Sequence, residues 1–169
     1  MTRAERQRTG TSRSPFDRPE RGNWPRLRLD VIAVVFAGGC LGGAARYAVT
    51  SANPVSRGAF PWPTLTVNLA GAFVLTLVVV IASELVPSRY LRPLVGTGFC
   101  GALTTFSSVV VAADQLFAHH HVPTGIGYLL ANVAGGLAAG WLGLVLGRAI
   151  VANRHRRRAA VSATEGSAS

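Results

Sequence analysis

The sequence contains no lysine, and only 14% of its 169 residues are charged. A soluble domain of this length carries roughly 25% charged residues. The 17 basic residues are therefore all arginine, and the formal net charge is +10. Twelve of these arginines lie in residues 1–28 and 154–158, at the outer ends of long apolar runs. A nucleic-acid binder displays its basic residues on a folded soluble face. The distribution therefore argues against nucleic acid as a partner and favours contacts with membrane lipid.

Cysteines are also scarce, and so are acidic residues within the apolar stretches. Cys40 and Cys100 are the two cysteines, both inside apolar runs, which excludes a disulfide framework. Asp30, Glu84 and Asp114 fall near the ends of apolar runs, and none lies at the middle of one. Because a proton-coupled exporter needs a membrane-buried carboxylate, a small four-helix exporter is the less favoured alternative. With no nucleophile–base pair and no metal cluster in the pattern, we expect no enzyme.

Four apolar stretches follow one another between the two basic ends, each close to the roughly 20 residues that a bilayer crossing needs. They leave no polar face for a soluble surface, so the sequence predicts an all-α membrane protein of four transmembrane helices. The stretches run from about Val31 to Thr50, Pro63 to Ser83, Pro93 to Ala113 and Thr124 to Ile150.

The basic ends predict the domain limits and the orientation. Residues 1–28 and 151–169 have too few aliphatic side chains to order themselves, and we expect disordered tails flanking a transmembrane domain at 29–150. Both tails and the second connector, with Arg89 and Arg92, carry the arginine excess. The positive-inside rule then places both termini in the cytoplasm of a multi-pass protein of the cell (plasma or inner) membrane.

The third apolar stretch has the composition of a helix that breaks near the middle of the membrane. It contains Gly96, Gly98 and Gly101, then a Thr104–Thr105 pair and the Ser107–Ser108 pair. A break exposes backbone carbonyls, which suit a cation, and N–H and hydroxyl groups, which suit an anion. The alternative is that the hydroxyls bond back to their own helix and that glycine only eases packing.

Three further polar residues lie within the apolar stretches. An amide is costly in lipid, so Asn68 and Asn132 should face the protein interior or a water-filled pathway. Each amide can donate two hydrogen bonds to an anion, and an interhelical bond without a transport role is the alternative. Arg46, near the outer end of the first stretch, either concentrates anions at a pore vestibule or extends its charge to the membrane surface.

Glycines at four-residue spacing recur in the first and fourth stretches. Such pairs bare one helical face and let helices approach closely. The approach is either between two subunits, which we favour, or between helices of one chain. The pairs are Gly38 with Gly42, Gly39 with Gly43, Gly136 with Gly140, and Gly143 with Gly147.

Three motifs in chain order resemble one known family. GGCLGGAARY, residues 38–47, is similar to the pattern GGxxGAxxRY, and TVNLAG, residues 66–71, is similar to TxxVNxxG with a shorter spacing before the valine. GFCGALTTFS, residues 98–107, is similar to GxxGGxTTFST. The chain resembles the Fluc, or CrcB, family of small dimeric fluoride channels.

The resemblance implies a passive fluoride channel that exports cytoplasmic fluoride and lowers its toxicity. It implies an antiparallel dimer with two pores and a central structural Na⁺, bound by the backbone carbonyls of Gly101 and Thr104. The anion pathway that it implies comprises Asn68, Thr105, Phe106, Ser107, Tyr128 and Asn132.

The sequence also departs from the family pattern. Val109 replaces the family's second phenylalanine, Ala102 replaces a glycine, and Asn132 and Gly136 stand at serine positions. Together with the strong arginine asymmetry, these losses favour one half of a heterodimer with a homologous subunit of opposite orientation. A homodimer, and a non-conducting or assembly subunit, are the alternatives.

Overall fold

A computed structural model describes residues 29–85 and 88–166, which contain only helices, turns and short connectors. Within them, four helical segments are long and apolar enough to cross a membrane, which confirms the predicted all-α architecture. The predicted tail at 1–28 lies outside the described residues. The segments are α1 (Leu29–Ala52), α2 (Trp62–Glu84), an interrupted third span and α5 (Val122–Gly166); the third span comprises a π-helical segment (Arg92–Cys100), α3 (Gly101–Leu103) and α4 (Ser107–Ala118).

The hydroxyl side chains of the apolar helix α2 form hydrogen bonds within the helix itself. Thr66 donates to the carbonyl of Trp62 at 2.8 Å, and Ser83 donates to that of Val79 at 2.8 Å. Thr76 bonds in the same way to the carbonyl of Ala72 at 3.1 Å. Because no water is present in the hydrocarbon to satisfy these donors, bonds within the helix make the hydroxyls tolerable there.

The first half of the third span winds more widely than an α-helix. Residues Arg92–Cys100 form a π-helix, and at its end the Gly101 N–H still bonds to the carbonyl of Gly96, five residues earlier. This segment packs against α1 with almost no side chains between them. A β-carbon on Gly38 would overlap the carbonyl oxygen of Leu94, and one on Gly42 would overlap that of Phe99. The sequence does not predict the wide winding, which accompanies this backbone-to-backbone contact.

The glycine pairs divide between two roles. The Gly38–Gly42 pair is used inside the chain, and so is Gly143–Gly147, where a β-carbon on Gly143 would overlap the carbonyl oxygen of Phe73 and one on Gly147 would overlap Val80 of α2. By contrast, a β-carbon on Gly39 or Gly43 would meet nothing within 4 Å, and the same holds for Gly136. Packing within the chain therefore accounts for two of the pairs, while the Gly39–Gly43 pair leaves a bare face uncovered among the described residues. Contact between subunits through such a face stays a prediction.

The last helix is longer than the sequence analysis predicts. The prediction ends the fourth span at Ile150 and makes residues 151–169 disordered, whereas α5 continues to Gly166. Residues 151–165 are rich in alanine and arginine and contain neither glycine nor proline, so no local signal stops the helix. The prediction of disorder is thus wrong for residues 151–166, and residues 167–169 lie outside the described part.

The apolar core lies at the end of the molecule that is formed by the connector between α1 and α2. Tyr128 of α5 is fully buried there, and its ring makes an edge contact with Phe60, with ring centroids 5.4 Å apart. The other buried members of this cluster come from α2 and α4 and are Leu65, Val109, Ala113 and Leu116. The cluster fixes the start of α5 against the second half of the third span.

Candidate functional site

The third span is interrupted near its middle, at Thr104 and Thr105. The helix of α3 ends at Leu103, Thr104 has an extended backbone (φ −78°, ψ 152°), and α4 begins at Ser107. The Thr104 hydroxyl donates to the carbonyl of Cys100 at 2.9 Å, and its backbone N–H donates to the same oxygen at 3.0 Å. A β-carbon on Gly71 of α2 would overlap the Thr104 methyl group. The break therefore packs against α2 at Gly71.

The break frees two carbonyl groups by diverting the N–H groups that would bond to them in a continuous helix. The Thr105 N–H, which would reach the Gly101 carbonyl, donates to Asn68 Oδ1 at 2.8 Å. The Ser108 N–H, which would reach the Thr104 carbonyl, donates to Thr105 Oγ1 at 3.2 Å. Among the described residues neither carbonyl accepts another hydrogen bond. Hard cations such as Na⁺ prefer oxygen ligands of this kind, so these two oxygens fit the metal that the resemblance implies.

Asn68 forms hydrogen bonds with both main-chain groups of Thr105, at the break in the third span. Its Nδ2 donates to the Thr105 carbonyl at 3.2 Å while its Oδ1 accepts the Thr105 N–H. The same Nδ2 donates to Asn132 Oδ1 of α5 at 3.2 Å, and Asn132 in turn donates to the carbonyl of Tyr128 at 2.9 Å. Both amides thus face the protein interior. The interhelical bonds that the sequence analysis gives as an alternative are present, and a direct role in anion binding stays a prediction.

A run of hydroxyls continues from the break. Thr105 Oγ1 lies 3.2 Å from Ser107 Oγ and donates to Ser108 Oγ at 3.1 Å. Ser107 and Ser108 are exposed, and both line a cavity of about 720 Å³ that lies between α4 and the connector before α2. The hydroxyls therefore connect Asn68 to an open cavity through a chain of polar groups.

The cavity carries a positive charge that the sequence analysis does not assign to it. Its polar lining includes Arg57 of the connector, and Gln115 and His119 from α4 and its end. Arg46, which the sequence analysis places at a vestibule, lines none of the described cavities; its carbonyl accepts a bond from Thr50 at 2.9 Å. Gln115 and His119 stand four residues apart at the end of α4, whereas Arg57 comes from the connector before α2, so no local pattern in the sequence groups Arg57 with the other two.

The aromatic positions of the predicted anion pathway differ in exposure. Phe106, at the break, is 81% exposed, whereas Tyr128 is fully buried and its hydroxyl has no hydrogen-bond partner among the described residues. Val109, at the position of the family's second phenylalanine, is also buried beside Tyr128 in the core. The structure thus brings Asn68, Thr105, Ser107 and Asn132 together and leaves Phe106 on an open face. Tyr128 lies in the core, and its role in the anion pathway stays a prediction.

Ionised groups other than Arg57 lie mainly at span ends. Arg89 pairs with Asp30 at 2.5 Å and also bonds to the Tyr90 hydroxyl, which links the start of α1 to the second connector. That hydrogen bond raises the pKa of the Arg89 guanidinium above its ordinary value, with a smaller contribution from Asp30. Among the described residues no group of three or more metal-ligating His, Cys, Asp or Glu side chains is present.

Comparisons with known proteins agree with this arrangement. The family model for "CrcB-like protein, Camphor Resistance (CrcB)" matches residues 33–144, which include α2 and the whole third span. The chain is 45% identical over 132 residues to "Fluoride-specific ion channel FluC 3" of Streptomyces avermitilis, with 78% of this chain and 65% of that protein covered. It is 44% identical over 124 residues to "Fluoride-specific ion channel FluC 1" of Mycolicibacterium paratuberculosis, with 73% and 94% covered. A third relative, "Fluoride-specific ion channel FluC 1" of Streptomyces coelicolor, is 43% identical over 125 residues, with 73% and 80% covered. The chain thus spans slightly less than two thirds of the first relative and most of the other two.

Proposed function

The chain belongs to the CrcB family, and from that premise we propose that it is a subunit of a passive fluoride channel that exports cytoplasmic fluoride. The observation that carries the proposal is the break at Thr104 and Thr105, bracketed by Asn68 and continued by hydroxyls into an open cavity. Interrupted helices inside a membrane occur where the protein binds an ion or lines a pathway. The names of the relatives supply the identity of the ion.

Conduction needs several weak donors in series, because fluoride gives up its hydration reluctantly and must also leave each site. In the proposed pathway Asn68 and Asn132 supply amide N–H groups, and Thr105 and Ser107 supply hydroxyls. Because both Asn68 N–H bonds are used within the chain, an anion would have to share or displace one of them. The edge of the Phe106 ring carries partial positive charge and can face an anion. Asp30, Glu84 and Asp114, the acidic residues within or at the ends of the four spans, are all exposed, so passive flux fits better than proton coupling.

The channel is proposed to be an antiparallel dimer that assembles through the uncovered face. Gly39 and Gly43 on α1 and Gly101 at the break leave open space where a β-carbon would be, and Phe106 projects beside the break. Bare glycine faces favour close helix contact in membranes, where apolar burial gives no net driving force. A second subunit on this face would cover Phe106 and complete the wall of a pore.

A structural Na⁺ is proposed between the two breaks, held by the carbonyls of Gly101 and Thr104 from each subunit. When bound, the ion supplies positive charge that fixes the paired breaks. The carbonyl oxygens are available because the N–H groups of Thr105 and Ser108 bond elsewhere. The ion would therefore be held by main-chain oxygens, so substitution of the side chains at these positions should change its binding only indirectly.

Both termini are proposed to be cytoplasmic, which follows from the arginine bias of the chain. One chain with so strong a bias inserts in a single direction, and an antiparallel dimer then requires a homologous partner of opposite bias. We therefore favour a heterodimer over a homodimer. Valine at position 109 agrees with non-equivalent pores, since the second aromatic ring of the family pattern is missing from this chain.

Fluoride efflux from liposomes tests the proposal. The purified chain would be reconstituted alone or with a homologous subunit of opposite charge bias into liposomes loaded with potassium fluoride. Efflux would be followed with a fluoride electrode after valinomycin is added, which lets potassium leave and balance the charge of the fluoride. We expect flux from the mixture, little from the single chain, and none from a mixture that carries Asn68→Asp, whose negative charge repels the anion. Robust flux from the chain alone would refute the heterodimer. Absence of fluoride flux from every combination would refute the channel.

A further inference from the structure

The last helix extends beyond the apolar part of its span. Between Val122 and Arg148 the sequence of α5 has no charged residue, and this stretch measures about 39 Å at about 1.5 Å per residue. It already exceeds the roughly 30 Å of bilayer hydrocarbon. The arginines at and after residue 148 therefore lie at the depth of the lipid headgroups or beyond it.

A cleft of about 470 Å³ lies between this part of α5 and the end of α2. On the α5 side, residues 150, 153, 154 and 157 have the spacing of a single helical face. Along α5 the apolar Ile150 lies closer to the membrane and the two arginines lie further out, while the α2 side of the cleft is apolar. The lining residues are Ile81, Leu85, Ile150, Asn153, Arg154 and Arg157.

No acidic side chain lines this cleft, although one is close by. Glu84 lines a second cleft, of about 370 Å³, on the other flank of the α2–α5 contact, and there it is accompanied by Arg148. Among the described side chains neither Arg154 nor Arg157 forms an ion pair. The first cleft therefore combines two uncompensated guanidinium groups with an apolar wall, whereas the second contains charges of both signs.

We propose that the first cleft binds the headgroup of an anionic phospholipid. Guanidinium groups form paired hydrogen bonds to phosphate oxygens, which the two arginines at the rim can supply. The Asn153 amide can donate to an ester or hydroxyl oxygen, and the apolar side chains can contact the first methylenes of an acyl chain. Basic clefts between transmembrane helices bind anionic headgroups in this manner. The proposal does not depend on which ion the protein conducts.

The test compares two double variants that lose the same charge. Arg154→Gln with Arg157→Gln removes both arginines of the cleft, while Arg148→Gln with Arg156→Gln removes two arginines of the same helix that do not line it. Binding of phosphatidylglycerol and of phosphatidylcholine to the detergent-solubilised full chain would be measured by native mass spectrometry. An arginine at an anionic headgroup contributes a factor of about five. The cleft variant should therefore bind phosphatidylglycerol roughly 25-fold more weakly, and the control should change less than about twofold.

Three results would overturn the proposal. Equal loss in both double variants would mean that only the overall charge of the helix matters. Equal binding of phosphatidylcholine would exclude an anionic headgroup, and full competition by millimolar glycerol phosphate would indicate a free phosphate site rather than a lipid site. Were the cleft double variant not to insert, the single change Arg157→Gln against Arg156→Gln would provide the same comparison, with an expected difference of about fivefold.

Discussion

Replacement of Asn68 by alanine should destabilise the chain substantially, because this side chain joins three separate parts of it. Asn68 makes three hydrogen bonds: two with the main chain of Thr105 and one with Asn132. Interhelical hydrogen bonds in membrane proteins contribute about 0.6 kcal/mol each on average. The lost bonds then cost about 2 kcal/mol, and leaving the Thr105 N–H without a partner inside the protein adds about 1 kcal/mol at the lower end of the usual range.

The expected loss of about 2–3 kcal/mol corresponds to a decrease in melting temperature of roughly 5–10 °C for a chain of this size. Cys100 provides a reporter, since it is 2% exposed and reacts with a thiol-reactive fluorophore only after unfolding. Cys40 is exposed and would be changed to alanine in every variant. Thr66→Ala serves as the control, because the Thr66 hydroxyl is exposed and bonds only within α2.

The result that would refute this reasoning is a melting temperature of Asn68→Ala within about 1 °C of the Thr66→Ala control. Asn68 would then not brace the break, and the bonds that it makes to Thr105 and Asn132 would contribute no stability. A decrease of equal size in both variants would refute it as well, since the loss would then not be specific to the break.

Four further predictions follow from the packing and the break. Gly42→Ala should lower the melting temperature because its methyl group overlaps the carbonyl of Phe99, whereas Gly43→Ala should leave the melting temperature of the monomer unchanged and weaken dimerisation, measured by subunit exchange in detergent. Val109→Phe should destabilise by about 1–3 kcal/mol in the same melting assay, because the larger ring overpacks the core around Tyr128; an unchanged melting temperature would show that this core has room. Phe106→Ala should leave the fold intact by circular dichroism and reduce fluoride efflux at least tenfold, and undiminished efflux would exclude the ring from the pathway. Sodium should raise the melting temperature of the assembled protein relative to N-methylglucamine, and no difference between the two cations would argue against the ion.

The sequence predicts those parts of the fold that local composition determines. Hydropathy predicts the four spans to within a few residues at most ends, and three glycines followed by paired threonines predict the interruption of the third span. The π-helical winding of Arg92–Cys100 is not predictable in this way, because it depends on the bare face of α1 across from it. The division of glycine pairs likewise depends on which face meets a neighbour. The sequence analysis does not predict the extension of α5, because it reads high charge and few aliphatic side chains as disorder, although arginine and alanine favour helix.

The sequence indicates which residue types form the site better than it indicates which of those residues contact one another. The sequence predicts that Asn68, Asn132 and the hydroxyls after the break are polar groups of the protein interior, and they lie close together, while their role in an ion pathway stays a prediction. The sequence does not predict Arg57 at the cavity, because a connector residue distant in sequence from α4 gives no local signal of its neighbours. Tyr128 lies in the core because α5 packs against α4, which composition does not reveal, and its place on the anion pathway stays a prediction.

One peptide group links the two kinds of ligand that the break can offer. The Thr105 N–H and the Thr104 carbonyl belong to the same planar unit, in which the two groups point in opposite directions. Because Asn68 Oδ1 accepts the N–H, the carbonyl is directed away from the amide side of the break. A hydrogen bond to the N–H also polarises the peptide and makes its oxygen a better acceptor. Asn68 is therefore positioned to act on both sides of the site: its N–H groups lie on the side of the proposed anion pathway, and through Thr105 it orients a carbonyl that can bind the cation.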